Sequence, residues 1–519
     1  MDEGWHPVGA PWVIAIAVML ATFMEVLDST VVNVSLPHIA GNLGATIDES
    51  TWVLTSYLVS NAIVLPATGW LSMVFGRKRF LMVCVVAFAI SSFLCGLSTS
   101  LTSLVFFRVL QGIGGGALQP ISQAILLETF PLRKRGMGMA IFGIGVVFAP
   151  IIGPTLGGWI TDNYSWRWIF YINIPISFLA LSMIQIYVID PPYLRRGVAR
   201  VDYIGLGLLA LGIGALQIVL DNGQRKDWFG TPWITQLTLV SALGLVALII
   251  WELRATNPII DFSVFAARNF TPGIILIFSL GVALYGSQVL LPVFLQNLLG
   301  YSATQSGLAL SPGGIGTLIF MPVAGSLVGR RDVRYLISFG LITMAYSMYM
   351  MSRFSLDIGF WNVVWPRVIM GVGLAFLFVP LATVTFAFTP REKTGTATGI
   401  FNLMRNIGGS FGIAGVNTVI AQRQQFHQSR LVENAAYSNP IFHNWMQSII
   451  AKLMANGQSL MYAQREALGI AYASVQRQAL TMSYVDAFWL LGVIMVALIP
   501  VVFIMRRPPR DAAPSGMGH

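Results

Sequence analysis

Apolar runs long enough to cross a bilayer succeed one another along almost the whole chain, at 11–35, 51–73, 80–98, 101–127, 137–160, 167–189, 203–221, 233–252, 270–296, 304–328, 335–352, 361–388, 396–421 and 484–505. The pattern predicts an all-α integral membrane protein, a bundle of fourteen transmembrane helices with both termini on one side. Basic residues fall in short clusters between the runs. Arg77-Lys78-Arg79, Arg133-Lys134-Arg135, Arg195-Arg196 with Arg200, Arg330-Arg331 with Arg334, Arg391 with Lys393, and Arg506-Arg507 with Arg510 occupy alternate loops or the C-terminal tail. Positive charge is retained in the cytoplasm, so those loops and both termini are expected there. Loops of the other parity carry little positive charge, chiefly Arg225-Lys226 and Arg353. The chain opens Met1-Asp2-Glu3 without a basic region or cleavage site, and the first run is expected to remain as an uncleaved anchor.

The chain also resembles itself. Leu43-Gly44, Pro66, Gly69 and Leu71 recur as Leu299-Gly300, Pro322, Gly325 and Leu327, and Arg108, Gly112, Pro131, Gly136 and Phe142 recur as Arg367, Gly371, Pro390, Gly395 and Phe401. The repeat predicts a six-helix half at 1–200, an inserted helix pair at 201–255, a second six-helix half at 256–510 and a tail at 511–519. A duplicated transporter holds its substrate cavity near the midplane between the halves. Residues 423–483, Gln-rich and too polar to span, form an extracytoplasmic loop within the second half. Helical spacing at 444–453 and 459–468 predicts partial helix there.

Composition agrees: 55% of the 519 residues are hydrophobic and 10% charged. The net charge of +10 would suit nucleic acid on a basic face, but the clusters lie between spans and set topology instead. Cys84 and Cys95 stand about 16 Å apart along one helix, which excludes a disulfide and a shared metal. There is no phosphate-binding Gly-Lys-Ser/Thr loop, no His pair at metal spacing and no nucleophile motif. Neither an enzyme, an ATP-driven machine, a cofactor nor a metal site is expected.

The chemistry lies inside the spans. Glu25 and Asp28 are three residues apart, on one face of the first helix, and a charged carboxylate at bilayer centre costs roughly 2.5 to 3.5 kcal/mol. Pro37 is expected to end that helix. Counting from the outer ends, Asp28 and Arg108 of the fourth helix lie at depths within roughly 3 Å, within reach of an arginine side chain. Such a pair either couples protonation to shape or statically locks two helices. Glu25 has no evident cation partner and either attracts positive charge or merely lines the cavity. Asn33, Gln111, Gln119 and Gln123 join it as polar groups at membrane depth, with Asn61, Gln217, Gln288, Asn402 and Asn406 in other spans; some would glue helices and others face the cavity. Arg367 and Arg405 are further intramembrane charges. In the fifth helix Gly145, Gly153, Gly157 and Gly158 form a small-residue stripe while Pro150 and Pro154 remove backbone donors, a pattern that tight packing also explains.

These residues together resemble the major facilitator superfamily, and within it the fourteen-helix drug:proton antiporters of the EmrB-like type from Gram-negative bacteria. The marks are Leu27-Asp28-Ser29-Thr30-Val31-Val32-Asn33 through Pro37, Arg108 with Gln111-Gly112, the fifth-helix stripe, which looks like the antiporter motif, Trp166-Arg167-Trp168 through Asn173 and Pro175, Leu220-Asp221-Asn222-Gly223 with Asp227-Trp228, and Phe401-Asn402-Leu403-Met404-Arg405. The resemblance implies export of amphipathic toxic compounds in exchange for protons across the bacterial inner membrane, with Asp28 and Arg108 as the coupling pair. It further implies a periplasmic adaptor of the EmrA type and an outer-membrane channel of the TolC type. One departure is Met73, where the family commonly carries Asp in the loop between the second and third helices. A dedicated exporter of one metabolite, such as a fatty acid or siderophore, fits the same scaffold. A non-transporting scaffold or sensor does not explain the buried carboxylates.

Overall fold

The computed structural model describes residues 11–131, 134–191, 202–256, 258–435 and 439–506. Arg133, Arg195, Arg196, Arg200, Arg507, Arg510 and the tail at 511–519 lie outside them. The long helices are α1 Pro11–Leu43, α2 Trp52–Phe75, α3 Arg77–Gly96, α4 Leu101–Thr129, α5 Arg135–Asn163, α6 Trp168–Tyr187, α7 Tyr203–Asn222, α8 Pro232–Glu252, α9 Phe270–Asn297, α10 Ala303–Val328, α11 Val333–Met351, α12 Phe360–Thr385, α13 Thr394–Asn434 and α14 Leu460–Ile504. No strand occurs among the described residues. Twelve of the helices are long and apolar enough to cross a membrane. The two that fall short, α11 and α13, carry more polar residues, yet each packs lengthwise within the bundle, α11 on α12 and α13 on α9. Fourteen long helices are thus present among the described residues, though length and hydropathy alone account for twelve spans.

Local sequence sets the helix starts. Ser100 with Ser103 and Ser302 with Gln305 form reciprocal capping boxes at α4 and α10, and the Asp202 carboxylate accepts from Gly205 N at α7. Gly76, at φ +83°, makes the tight turn between α2 and α3 that a side chain would strain. Two expectations need correction. Pro37 does not end α1: it is exposed inside an unbroken helix, and Ile39 and Ala40 beyond it are buried, so the continuing apolar face outweighs one lost backbone bond. The 423–483 segment is largely helical: α13 continues to Asn434, a short helix spans Pro440–Ala455, and α14 begins at Leu460. Met446 and Ile450 of the short helix bury against Ala463, Ala467 and Ala471 of α14, which gives this extension an apolar core of its own.

Within the first half α1 packs on α5 and α6, and α4 on α2 and α3; within the second α9 packs on α13, and α12 on α10 and α11. The halves meet through α5 on α10 and α2 on α13. At the end bearing Arg77-Lys78-Arg79 the contact is backbone on backbone. A methyl on Gly136 would lie 2.5 Å from the Gly325 carbonyl oxygen, and one on Gly69 would lie 2.4 Å from Thr396 N. α7 and α8 pack on each other, and α7 touches both α2 and α13.

Candidate functional site

The small residues of α5 place α1. Gly145, Ala149, Gly153 and Gly157 recur every four residues on one ridge, and methyls on the three glycines would meet Met19, Thr30 and Val31. Gly158 only brushes Val34, and Pro150 and Pro154 remain within the continuous helix. The stripe therefore holds α1 against α5 inside one half, while Gly136 and Gly143 of the same helix face the other half.

So held, α1 presents its carboxylates to the interior. Arg108 Nη1 donates to Asp28 Oδ2 at 2.5 Å, with both side chains fully buried. Gln111, one turn along α4, donates to Asp28 Oδ1 at 2.9 Å and accepts from Arg108 at 2.8 Å. Asn173 of α6 donates to Asp28 Oδ1 at 2.8 Å. Arg108 Nε donates to the Val53 carbonyl at 3.0 Å, and the guanidinium carbon lies 4.2 Å from the centre of the Tyr57 ring. A buried ion pair repays its desolvation only with such additional hydrogen bonds.

Glu25 is held by neutral donors: its carboxylate accepts from Tyr57 Oη at 3.1 Å, from Asn61 Nδ2 at 3.0 Å and from Gln119 Nε2. Gln119 in turn accepts from Arg405 Nη2 of α13, and Asn402 Nδ2 donates to Gln123 Oε1 at 2.7 Å. These two bonds join the halves near the middle of the spans. Asn33 is exposed on α1 and stands apart from both clusters. Among the described residues Arg367, the repeat mate of Arg108, reaches only the Met370 sulfur, at 3.3 Å. Its missing partner has a reason in the sequence: the offset that matches Leu43-Gly44 to Leu299-Gly300 sets Leu284 where the first half has Asp28. Met73, expected in the loop between the second and third helices, lies instead in the last turn of α2, where it is exposed, and the nearby Arg77 is buried in an ion pair with Glu128.

Two members of the site had no place among the candidates read from the sequence. Tyr57 carries no local signal, because its role depends on which face α2 turns to α1. Asn173 lies inside the Trp166–Pro175 motif, but only the packing of α6 on α1 brings it to Asp28.

The Major Facilitator Superfamily model matches residues 18–413. The chain belongs to the major facilitator superfamily. This facilitator is 40% identical to the multidrug export protein EmrB of Escherichia coli (strain K12), over 98% of this chain and 97% of that one. It is 37% identical to the fatty acid resistance protein FarB of Neisseria gonorrhoeae, over 98% of each. Among solved structures it shares the fold of the proton:xylose symporter XylE, at a TM-score of 0.60, 15% identity and 95% coverage of each chain. The facilitator is a multi-pass membrane transporter and not an enzyme.

Proposed function

We propose that this facilitator exports amphipathic toxic compounds in exchange for protons, and that Asp28 with Arg108 is the coupling pair. The observation that carries the reading is the fully buried Asp28–Arg108 bond, enclosed by Gln111 and Asn173. In the ionised state Asp28 neutralises Arg108 and ties α1 to α4 and α6. A proton on Asp28 removes the negative charge, weakens all three contacts and frees α1 to shift on its α5 ridge; loss of the proton restores them. Because Glu25 lies one turn away on the same helix and is bonded to α2 and α4, that shift also disturbs the bonds through which Gln119 reaches Arg405. Charge on α1 is thereby coupled to contact between the halves.

The name carried by the E. coli relative supports a broad substrate range, and the name of the gonococcal relative keeps a dedicated lipid-acid exporter as the second reading. In either case we place the protein in the bacterial inner membrane with cytoplasmic termini, halves at 1–200 and 256–510, the inserted pair at 201–255, and the 423–483 extension outside as the dock for an adaptor leading to an outer-membrane channel. Substrate-driven proton release from proteoliposomes, across cationic, neutral and anionic compounds, tests the proposal. Release with several unrelated compounds is expected, release with one chemical type alone selects the dedicated exporter, and no release with any compound refutes exchange.

A further inference from the structure

Arg405 is a buried charge in the middle of the bundle that the coupling pair leaves unused. Arg405 of α13 is 2% exposed, yet it has a single close hydrogen bond, from Nη2 to Gln119 Oε1, with Asn406 Oδ1 at 3.5 Å from the same nitrogen. Its Nε and Nη1 are buried with no hydrogen-bond partner among the described residues. None of the ion pairs among the described residues includes it. The carboxylates nearby are already engaged: Asp28 is held by Arg108, and Glu25 is separated from Arg405 by the amide of Gln119.

A guanidinium offers five donors in a planar fork, and a buried donor without an acceptor costs the desolvation of that group. Arg405 is therefore incomplete in this state, and what completes it is a ligand bearing two adjacent acceptor oxygens. Nη2 carries two hydrogens and lies on both edges of the fork, so a carboxylate at either edge takes one open nitrogen and one Nη2 hydrogen, and at the edge where Gln119 now accepts it displaces that amide. Binding at that edge removes the Gln119–Arg405 bond between the halves and leaves Gln119 held by Glu25. The second bond across the middle, Asn402 to Gln123, lies on the same two helices and does not involve the guanidinium.

We propose that Arg405 is an anion subsite on the substrate path, taking the acid group of amphipathic weak acids at the edge of the fork where Gln119 accepts and releasing that one bond between α4 and α13 as it does so. The proposal deepens the export reading above and rests on it for the word substrate; the binding step itself needs no proton gradient.

The test compares 1-pyrenebutanoate, its methyl ester and 1-pyrenebutylamine, which share one ring body. Binding to the purified protein in nanodiscs of zwitterionic lipid is read by energy transfer from tryptophan, with empty nanodiscs as blank. The wild type is expected to bind the acid about tenfold more tightly than the ester, the difference of one charge-assisted pair. Arg405→Gln should bring the acid down to the level of the ester. Arg405→Lys, which keeps the charge and loses the fork, should fall between the two. No preference for the acid in the wild type overturns the proposal, and so does a preference that survives in Arg405→Gln. Should that variant not fold, an undiminished preference in Arg405→Lys overturns it. Since no transport is measured, failure of proton exchange and failure of this subsite are separate results.

Discussion

Asp28 and Arg108, on helices α1 and α4, meet at 2.5 Å with both side chains wholly buried. The pair is the place where a single proton changes the most contacts, since Asp28 also holds Gln111 and Asn173. Asp28→Asn should keep the fold, because an amide oxygen still accepts from Arg108, but the amide cannot exchange a proton. Export driven by a pH gradient in proteoliposomes is expected to vanish while substrate binding persists. Undiminished gradient-driven transport in the variant would remove Asp28 from the mechanism.

That this pair meets was legible in the sequence, because depth along a spanning helix follows from residue count at about 1.5 Å each. Gln111 reads only as a polar group at membrane depth, and its bonds to Asp28 and Arg108 appear in the packed bundle. The rest depended on rotation, which residue count does not fix. Tyr57 and Asn173 reach the carboxylates only because α2 and α6 turn those faces inward, and Asn33, equally polar and on the same helix, turns away. Pro37 misled for a related reason: a proline reads as a helix end, but the buried Ile39 and Ala40 carry α1 onward to Leu43. In the polar 423–483 segment the helical spacing at 444–453 and 459–468 was legible, whereas the longer run of helix was not, since the small apolar core that Met446 and Ile450 share with α14 is a tertiary feature.

Glu25 gives a second prediction. Three donors converge on it from Tyr57, Asn61 and Gln119, an arrangement that holds a carboxylate in place rather than neutralising it with a cation. Glu25→Gln removes the negative charge from the low-dielectric middle of the bundle, where attraction to a cation is far stronger than in water. Export of cationic compounds should fall several-fold more than export of neutral ones of similar shape. Equal loss for both classes, measured in the same vesicles, would mark Glu25 as structural.

The glycines of α5 predict a ranking. A methyl on Gly145 meets the flexible end of Met19, which can swing aside, whereas a methyl on Gly136 meets the Gly325 carbonyl oxygen of the other half at 2.5 Å. Gly145→Ala should therefore lower thermal stability little. Gly136→Ala should force α5 and α10 apart at the basic end, at a cost of about 1–3 kcal/mol for overpacking, and shift the population toward forms open there. Labelling of a cysteine placed near Val328 measures that opening; equal labelling in the two variants would contradict the ranking.

The helical extension gives the last prediction. Moving solute between two halves does not require α13 and α14 to run on beyond the bundle, nor a third helix between them. The extension also keeps large apolar side chains in the open, with Ile441 81%, Met461 76% and Tyr462 69% exposed. Its base is pinned separately, by Arg423 and His427 on Asp486 and by Arg477 on the Leu298 carbonyl. Residues 431–472 can then be replaced by a flexible linker spanning the two stems without disturbing those pins. The shortened protein is expected to bind substrate and exchange protons in vesicles as the full chain does, while resistance in cells and co-purification of a periplasmic adaptor both collapse. Adaptor capture at unchanged affinity would place docking elsewhere on the molecule and leave the extension as a cover over the outer mouth.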